Sequence, residues 1–348
     1  VIANRLSEVP SWRVLLVEAG SDPPIESEIP AFFINLLKTK HDWFYKTEIS
    51  DYACLGMANN QCAWAKGKML GGSSAMHAMF HVRGSEEDYN DWERGKNPGW
   101  SFKDVLKYFK KLENVNDPRL IPDIHGQEDY LSGNFISKAT YYHAATINRM
   151  IREAAIELGF PFIEDCTSNV KTCITETLFR IESGRRMSVA KAYLTLMKRD
   201  NLVIMKESLV TKLLVDERKH IYGVEVHVDG EYIQIQSKKE VIVSAGSIAF
   251  PQLLMLSGIG PKEHLEDLGI KVVKDLKVGH NLQDHPMLMN YYVIPNLTDN
   301  APPHPLYFFL TRRNEIFTSP SSPLLMFTNL NRTSEYPSII LIQATSRR

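Results

Sequence analysis

The hydrophobic pattern near the start of the chain predicts a helix followed by a strand. Residues 14–17, Val-Leu-Leu-Val, form a short apolar run that predicts a buried parallel strand. Before it, Ile2, Ala3 and Leu6 have helical spacing, and Pro10 ends that helix. Only 13 residues precede the strand, so we expect the chain to be a fragment that begins inside a helix.

Further helices are predicted where apolar residues recur at helical spacing. In residues 101–115, Ser101 is the candidate N-cap of an amphipathic helix. A glycine-serine turn in residues 64–84 runs into an apolar stretch that is compatible with a helix. The other predicted helices cover residues 31–38, 144–160, 188–199, 250–260 and 261–269.

The hydrophobic period changes from helical to alternating after residue 200. Short alternating runs separated by turn residues predict a four-stranded β-meander. Its strands are expected at residues 201–208, 209–217, 221–230 and 231–239. Residues 240–246 predict another buried strand, which ends in Ala245 and Gly246. From residue 291 onward the pattern is proline-interrupted and strand-like.

Composition and charge narrow the range of functions. The chain has 348 residues, of which 44% are apolar and 23% charged, as in an ordinary globular protein. Its net charge of −1 gives no electrostatic reason to expect nucleic acid or an anionic membrane as a partner. No apolar run approaches the ~18 residues that span a bilayer.

The four cysteines do not have the paired spacing of a zinc site. Cys54 and Cys62 could close a small loop as a disulfide if the protein is secreted, or could be two thiols. Asn296 and Asn331 fit the glycosylation acceptor pattern, which is common by chance. These residues alone leave the compartment open.

An acid follows the first predicted strand. A carboxylate at the carboxyl end of a parallel strand can accept hydrogen bonds from ribose hydroxyls, as in dinucleotide-binding folds. Glu18, followed by Ala19, stands at that position. The alternative is that Glu18 simply begins a surface loop.

Residues 67–74, Gly-Lys-Met-Leu-Gly-Gly-Ser-Ser, predict a loop that approaches a ligand closely. Its glycines expose the backbone, its serines add hydroxyls, and Lys66 and Lys68 add positive charge. The loop is not a phosphate-binding Walker motif. The alternative is a tight turn capped by serines.

Two later stretches also predict ligand contacts. The small residues in 243–246 would let a cofactor pass close to a strand end, or would simply pack beneath a helix. Residues 278–285 are densely polar and include Asp284 and His285. No metal site is expected there, because no third ligand stands at usable spacing.

The order of the motifs decides between these alternatives. The following stretches resemble, in order and interval, the glucose–methanol–choline (GMC) family of FAD-dependent oxidoreductases: ANRLSEVPSWRVLLVEAG, GKMLGGSSAMH, SGRRMSVAKAYL, VSAGSIAFPQLLMLSGIGP and VGHNLQDH. The resemblance implies an α/β fold, with a Rossmann-like FAD-binding domain and its β-meander in residues 1–292. Residues 293–348 would begin an incomplete α+β substrate-binding domain.

The resemblance also implies cofactor contacts. Glu18 matches the ribose-binding acid, and His77 stands where most members have an asparagine near the flavin ring. Non-covalent FAD is expected. The full set of expected contacts is Glu18, Ala19, Lys68, Gly71, Gly72, Ser73, Ser74, His77, Val210, Ala245, Gly246, Asp284 and His285. We expect the turns at 18–20, 67–74, 243–246 and 278–285 to line one groove.

The sequence departs from the family pattern at several points. His81 replaces an aromatic residue, and Phe250 replaces serine or threonine. The first strand, the first glycine loop and the family's catalytic histidine have no counterpart in these residues. We therefore expect the 348-residue chain alone to bind FAD poorly.

The activity implied by the resemblance is oxidation of an alcohol or sugar hydroxyl, with hydride transfer to flavin N5 and a quinone or oxygen as acceptor. The cysteine loop and the stretch HDWFYKTE resemble the insect glucose dehydrogenase branch, which favours an extracellular location. Two alternatives are a GMC-type lyase and a truncated, non-catalytic paralogue. No metal is expected.

Overall fold

A computed structural model describes residues 1–115, 134–138, 145–166, 170–195, 197–292, 321–330 and 336–344. The predicted glycosylation acceptors Asn296 and Asn331 lie outside these ranges. Within them, no helix is both long and apolar enough to cross a membrane.

The described residues form both helices and strands. The α-helices are α1 (Ile2–Leu6), α2 (Ile25–Glu28), α3 (Glu86–Arg94), α4 (Phe102–Leu112), α5 (Ala145–Glu157), α6 (Gly246–Leu256) and α7 (Lys262–Asp267). Strands β1–β9 are Val14–Val17, Tyr45–Lys46, Ala63–Trp64, Phe80–His81, Glu113–Val115, Asn134–Lys138, Cys173–Glu176, Leu178–Phe179 and Ile181–Glu182. Strands β10–β18 are Arg185–Arg186, Leu202–Met205, Leu209–Val215, Ile221–Val228, Glu231–Gln236, Ile259–Gly260, Lys274–Asp275, Ser321–Thr328 and Ile339–Ala344.

The chain divides into two compact units. One contains Arg13–Ser21 and Leu202–Leu297, and we call it the strand-end unit. The other contains Val1–Trp12 and Asp22–Asn201 with the described part of Thr298–Arg348, and we call it the glycine-loop unit. The two units are groups of residues that pack densely against one another. The predicted boundary at residue 292 instead separates a FAD-binding domain from a substrate-binding domain. That boundary stays a prediction.

In the strand-end unit, β1 pairs in parallel with β11, so that Val14 lies opposite Leu202. Strands β12, β13 and β14 form an antiparallel sheet. Leu213, Val226 and Leu253 are buried, because alternate residues of this sheet face helix α6. The hydroxyl of Ser257 accepts the backbone N–H of Leu213 at 2.8 Å, which ties α6 to the sheet.

The predicted four-stranded meander is wrong in its first strand. The meander has three strands, and β11 pairs with β1 instead. Leu202–Met205 is a continuous apolar run, and such a run suits a parallel strand as well as one edge of a meander. The parallel pair is only partly buried: Leu15 is 41% exposed and Val203 is 55% exposed.

The predicted strand at residues 240–246 is also wrong. Residues 240–245 have no strand pairing among the described residues, and Ile242 is 44% exposed. Ala245 and Gly246, predicted at a strand end, are the N-cap and first residue of α6. A parallel strand is stabilised by hydrogen bonds to its neighbours, and the described sheet that contains β1 has two strands.

The glycine-loop unit contains short sheets and two disulfides. Its larger described sheets have the strand orders β4-β8-β6-β5 and β18-β17-β7. The disulfides join Cys54 to Cys62 and Cys166 to Cys173. The first of these resolves the open alternative for Cys54 and Cys62. The second lies in an apolar cluster with Phe327, and no sequence argument pointed to it.

Two predicted helices in this unit are replaced by shorter turns. Residues 64–84 contain a short 3-10 helix, Gly72–Ala75, followed by β4. Residues 188–199 are helical only over 189–195, where α-helical residues 189–190 run into the π helix Lys191–Thr195. The glycines of the first stretch favour a loop over a helix. The predicted helices near 101–115, 144–160, 250–260 and 261–269 are confirmed as α4, α5, α6 and α7.

Candidate functional site

Glu18 stands at the carboxyl end of β1, as predicted. Its backbone N–H donates to the carbonyl of Met205 at 2.8 Å, which continues the parallel pairing. Its carbonyl accepts the N–H of Ser208 at 2.9 Å, and its Oε1 accepts the N–H of Gly20 at 2.8 Å. These bonds bring residues 18–20 beside residues 207–210, which include Val210. A carboxylate held in this way suits a diol such as ribose.

Gly246 opens helix α6 in a conformation that favours glycine. Its φ is +86°, and a Cβ built on it would meet no atom within 4 Å. The first N–H groups of an α-helix have no partner inside the helix and favour an anion. The start of α6 therefore presents open backbone, with Ala245 as the residue before it.

Asp284 and His285 lie in an exposed stretch of the strand-end unit. The Oδ1 atom of Asp284 accepts the backbone N–H of His285 at 2.8 Å. In the part of the chain that the structure describes, these side chains contact no other predicted site residue through a hydrogen bond. Their place beside a flavin stays a prediction.

Gly71 and Gly72 form the tight part of the glycine loop. Both have positive φ, +94° and +54°. A Cβ on Gly71 would lie 2.9 Å from the Cβ of Ala190, whereas one on Gly72 would meet nothing within 4 Å. Gly71 is thus required by packing, whereas the backbone N–H of Gly72 already donates to the carbonyl of Met69 at 2.8 Å.

The serines of the loop hold its shape. The hydroxyl of Ser73 accepts the N–H of Gly67 at 3.1 Å, across the mouth of the loop. The hydroxyl of Ser74 donates to the carbonyl of Gly71 at 2.6 Å and accepts the N–H of Val189 at 3.1 Å. The alternative of a serine-stabilised turn is therefore correct for the serine side chains.

Lys68 lies next to this loop, over an aromatic ring. Its Nζ is 4.7 Å from the centre of the Trp43 ring. This contact restrains the ammonium group while leaving its charge available to an anion. The backbone N–H of Lys68 donates to His41 at 2.8 Å, which anchors the same segment.

His77 follows the loop, and its ring has a defined tautomer. Nδ1 accepts the backbone N–H of Met79 at 2.6 Å, so the proton of the neutral ring is on Nε2. Burial, followed by the charges of Arg186 and Arg180, lowers the pKa of His77 to about 3. The ring is therefore a neutral hydrogen-bond donor at physiological pH, as a side-chain amide would be.

Arg186 is a buried residue that sequence reasoning missed. Its Nε donates to the carbonyl of Ser27 at 2.7 Å, and its Nη1 donates to the carbonyls of Ser74 and His77 at 3.3 and 2.6 Å. It thus joins α2 to the glycine loop. Arg186 belongs to the stretch SGRRMS, which resembles the GMC family, but local sequence does not show which of its two arginines is buried.

The predicted site residues fall into two sets. Glu18, Ala19, Val210, Ala245, Gly246, Asp284 and His285 belong to the strand-end unit, and Lys68, Gly71, Gly72, Ser73, Ser74 and His77 belong to the glycine-loop unit. The expectation that both sets line one groove stays a prediction. The described residues contain no cluster of three or more potential metal ligands.

An acid after a parallel strand and a glycine loop are typical of α/β proteins that bind dinucleotides. Comparison with known proteins identifies one family within this class. The family model described as GMC oxidoreductase matches residues 37–287. The chain therefore belongs to the GMC oxidoreductase family.

Relatives with known names share a third or more of their aligned residues with this chain. A glucose dehydrogenase [FAD, quinone] of Drosophila pseudoobscura pseudoobscura is 39% identical over 306 residues, which are 87% of this chain and 48% of that protein. An ecdysone oxidase of Spodoptera littoralis is 35% identical over 290 residues, covering 83% of this chain and 48% of that protein. Mitochondrial choline dehydrogenase of Mus musculus is 35% identical over 299 residues, covering 82% and 48%.

Solved structures show the same fold. Pyridoxine 4-oxidase from Mesorbium loti matches with a TM-score of 0.79 and 28% identity, over 98% of this chain and 63% of that chain. Formate oxidase matches with a TM-score of 0.80 and 26% identity, over 95% and 59%. The Rossmann-like fold class is confirmed. The chain spans about half the length of the curated relatives it matches.

Proposed function

We propose that the protein to which this chain belongs is a FAD-dependent oxidoreductase that oxidises the CH–OH group of an alcohol or sugar. The observation that carries this proposal is the match to the GMC oxidoreductase model over residues 37–287. The predicted cofactor, FAD, also appears in the name of the glucose dehydrogenase relative. When bound, FAD supplies a hydride acceptor and passes the electrons on to a second substrate.

The residues of the strand-end unit fit the adenosine half of this cofactor. The carboxylate of Glu18, held by the N–H of Gly20, would accept hydrogen bonds from the ribose hydroxyls. Val210 lies in β12, close along the chain to the Ser208 N–H that binds the Glu18 carbonyl. The open backbone at Gly246 would face a phosphate.

The residues of the glycine-loop unit fit the pyrophosphate and the flavin ring of FAD. Lys68 offers a restrained positive charge that would pair with a pyrophosphate. His77 would donate a hydrogen bond from Nε2, as the asparagine of other family members would from its amide. None of the described residues is assigned the role of the acid–base group that takes the proton of the substrate hydroxyl.

The names of the relatives support a proposal for the substrate class and the electron acceptor. The names of three relatives include glucose, ecdysone and choline, and each of these compounds carries a hydroxyl group. We propose a small alcohol or sugar as substrate and a quinone or oxygen as acceptor. The disulfides Cys54–Cys62 and Cys166–Cys173 support an extracellular or other oxidising location.

The test uses the protein from the complete reading frame. Purified protein should contain one bound flavin, recognised by its visible absorbance bands, and should reduce a quinone or oxygen when an alcohol or sugar panel is added. A flavin that is bound but never reduced by any member of the panel would favour the lyase alternative. A colourless protein that does not take up added FAD would favour the non-catalytic paralogue and contradict the proposal.

A further inference from the structure

The charges of Arg186 and Arg180 both act on the His77 ring, which places these three side chains near one another in the glycine-loop unit. The Nη1 atom of Arg186 donates to the carbonyl of His77 at 2.6 Å. The backbone N–H of Arg180 donates to the carbonyl of Met79 at 2.9 Å, and the carbonyl of Arg180 accepts the N–H of Met187 at 2.9 Å. These bonds connect β4, β8 and β10 and hold His77, Arg180 and Arg186 in one place. We call these three residues the basic cluster.

The guanidinium groups of the basic cluster have N–H donors without acceptors. Arg186 is 2% exposed, and its Nη2 has no acceptor among the residues that the structure describes. The Nε of Arg180 is equally buried, and over the described ranges its guanidinium group makes no hydrogen bond. A buried donor without an acceptor costs about 1–3 kcal/mol, and more when it is charged.

His77 adds a third donor. Because Nδ1 is occupied by the N–H of Met79, the ring can present only its Nε2–H. This atom has no hydrogen-bond partner in the described portion of the chain. The side chains of His77 and Arg180 are partly rather than fully buried.

The carboxylate near the basic cluster already pairs with other side chains. Glu113 is fully buried, and its carboxylate contacts Arg83 and His81. It acts on Arg180 only through space, as does the Tyr193 side chain. Burial lowers the pKa of Arg180, and it lowers the pKa of Arg186 to about 10, because neither charge is fully compensated. Desolvated guanidinium groups of this kind bind anionic oxygen strongly.

We propose that His77, Arg180 and Arg186 form a binding site for a negatively charged oxygen group, such as a carboxylate. The oxygen could belong to a small carboxylate molecule or to a phosphate group of the bound FAD. The second source rests on the proposed function, whereas the first does not. In either case the ligand accepts hydrogen bonds from Nε2 of His77 and from the guanidinium of Arg180, and it offsets the charge of Arg186.

Acetate is the probe, and calorimetry measures its binding to the protein with and without added FAD. Arg180→Gln removes the charge of a side chain that makes no hydrogen bond to described residues, so the variant should keep its fold. Arg185→Gln is the matched control, because Arg185 is 41% exposed and pairs with Glu28. Charge-assisted hydrogen bonds of 1.5–3 kcal/mol predict a loss of about tenfold or more in affinity for Arg180→Gln and little loss for Arg185→Gln.

The two sources give different results. If a free carboxylate is the ligand, acetate binds the FAD-loaded protein, and Arg180→Gln weakens that binding. If FAD supplies the oxygen, acetate binds only the FAD-free protein, and Arg180→Gln raises the dissociation constant for FAD about tenfold or more. The proposal is overturned if acetate binds neither form and Arg180→Gln leaves the FAD affinity unchanged. Acetate binding without any FAD binding would contradict the proposed function and support the site.

His77 supplies a second test. His77→Asn keeps a side-chain donor and should retain at least half of the acetate or FAD affinity, while His77→Leu removes the donor and should weaken binding about tenfold. Equal affinities in the Asn and Leu variants, with folded protein in both, would remove His77 from the site.

Discussion

The Oδ1 atom of Asp42 accepts the backbone N–H of Lys66 at 3.0 Å, although 24 residues separate them along the chain. The same carboxylate accepts the N–H groups of Lys38 and Phe44, each at 2.9 Å. Asp42 is 7% exposed. One buried carboxylate therefore ties the segment that begins the glycine loop to residues 38–44.

Asp42→Ala should loosen the glycine loop and destabilise the protein. Three backbone donors lose a charged acceptor, and we expect the free energy of unfolding to fall by about 3 kcal/mol. Urea unfolding measures this change. The exposed Asp51→Ala serves as the control and should change the free energy by less than about 0.5 kcal/mol. Equal effects at both positions would show that the loop does not depend on Asp42.

Gly71 and Gly72 should differ when each is replaced by alanine. Gly71→Ala combines a positive φ with a Cβ only 2.9 Å from the Cβ of Ala190, so it should cost about 3 kcal/mol of stability. Gly72→Ala meets no atom within 4 Å and should cost about 1 kcal/mol. If FAD approaches Gly72, that variant should nevertheless lose FAD affinity more than stability. Thermal unfolding and flavin binding, measured on both variants, separate the two effects.

The neutral state of His77 predicts a pH dependence of stability. The pKa is lowered to about 3 in the folded protein from 6.5, so the unfolded chain binds the proton more readily. The stabilising contribution is complete above pH 6.5 and is lost as the pH falls towards 3, by roughly 2 kcal/mol at pH 5.

Urea unfolding at pH 7.5 and pH 5 measures this loss. His77→Asn should remove that part of the pH dependence, and His220→Asn, at an exposed position, should leave it intact. If the free energy of unfolding depends on pH in the same way in the wild-type protein and in His77→Asn, the neutral state of the buried His77 is contradicted.

The sequence predicted elements whose signals are local. The apolar run of Val14–Val17, followed by an acid, defined β1 and placed Glu18 at its end. Pro261 and Gly269 bounded α7 within two residues of its observed limits. In each case the residues that decide the structure are neighbours in the sequence, so the pattern alone was sufficient.

The errors concern features that depend on distant residues. The apolar pattern of residues 240–246 cannot show whether a partner strand is present, and none pairs with it in the described ranges. Arg185 and Arg186 are adjacent and identical in type, yet only Arg186 is buried, because Ser27, Ser74 and His77 supply its acceptors. Those acceptors lie over 100 residues away in sequence. No local rule identifies them.

The two disulfides predict a chain that is sensitive to reduction. Intact protein analysed by mass spectrometry without reductant should show Cys54 linked to Cys62 and Cys166 linked to Cys173. Cross-links over 8 and 7 residues each restrict the unfolded chain, which corresponds to roughly 2–3 kcal/mol per disulfide. Replacing both Cys54 and Cys62 by serine should lower stability by that amount. Free thiols in unreduced, natively purified protein would refute the pairing.

The buried carboxylate of Glu113 predicts a strong interaction energy with Arg83. Its Oε1 accepts from Nε of Arg83 at 2.7 Å and contacts Nε2 of His81 at 2.9 Å, and its Oε2 contacts Nη2 of Arg83. Both Arg83 and Glu113 have side chains that are at most 1% exposed. Glu113→Leu leaves the guanidinium of Arg83 without this carboxylate and should cost about 3–5 kcal/mol.

A double-mutant cycle tests whether the cost comes from the uncompensated charge or from lost packing. Arg83→Met combined with Glu113→Leu removes both charges and keeps apolar volume, so the double variant should be more stable than either single variant. The free energies of unfolding of all four proteins give the interaction energy. If the two single effects simply add, the pair contributes packing alone. A large interaction energy would instead show that the fold around β4 and β5 depends on the charge balance of Arg83 and Glu113, because neither residue tolerates the loss of the other.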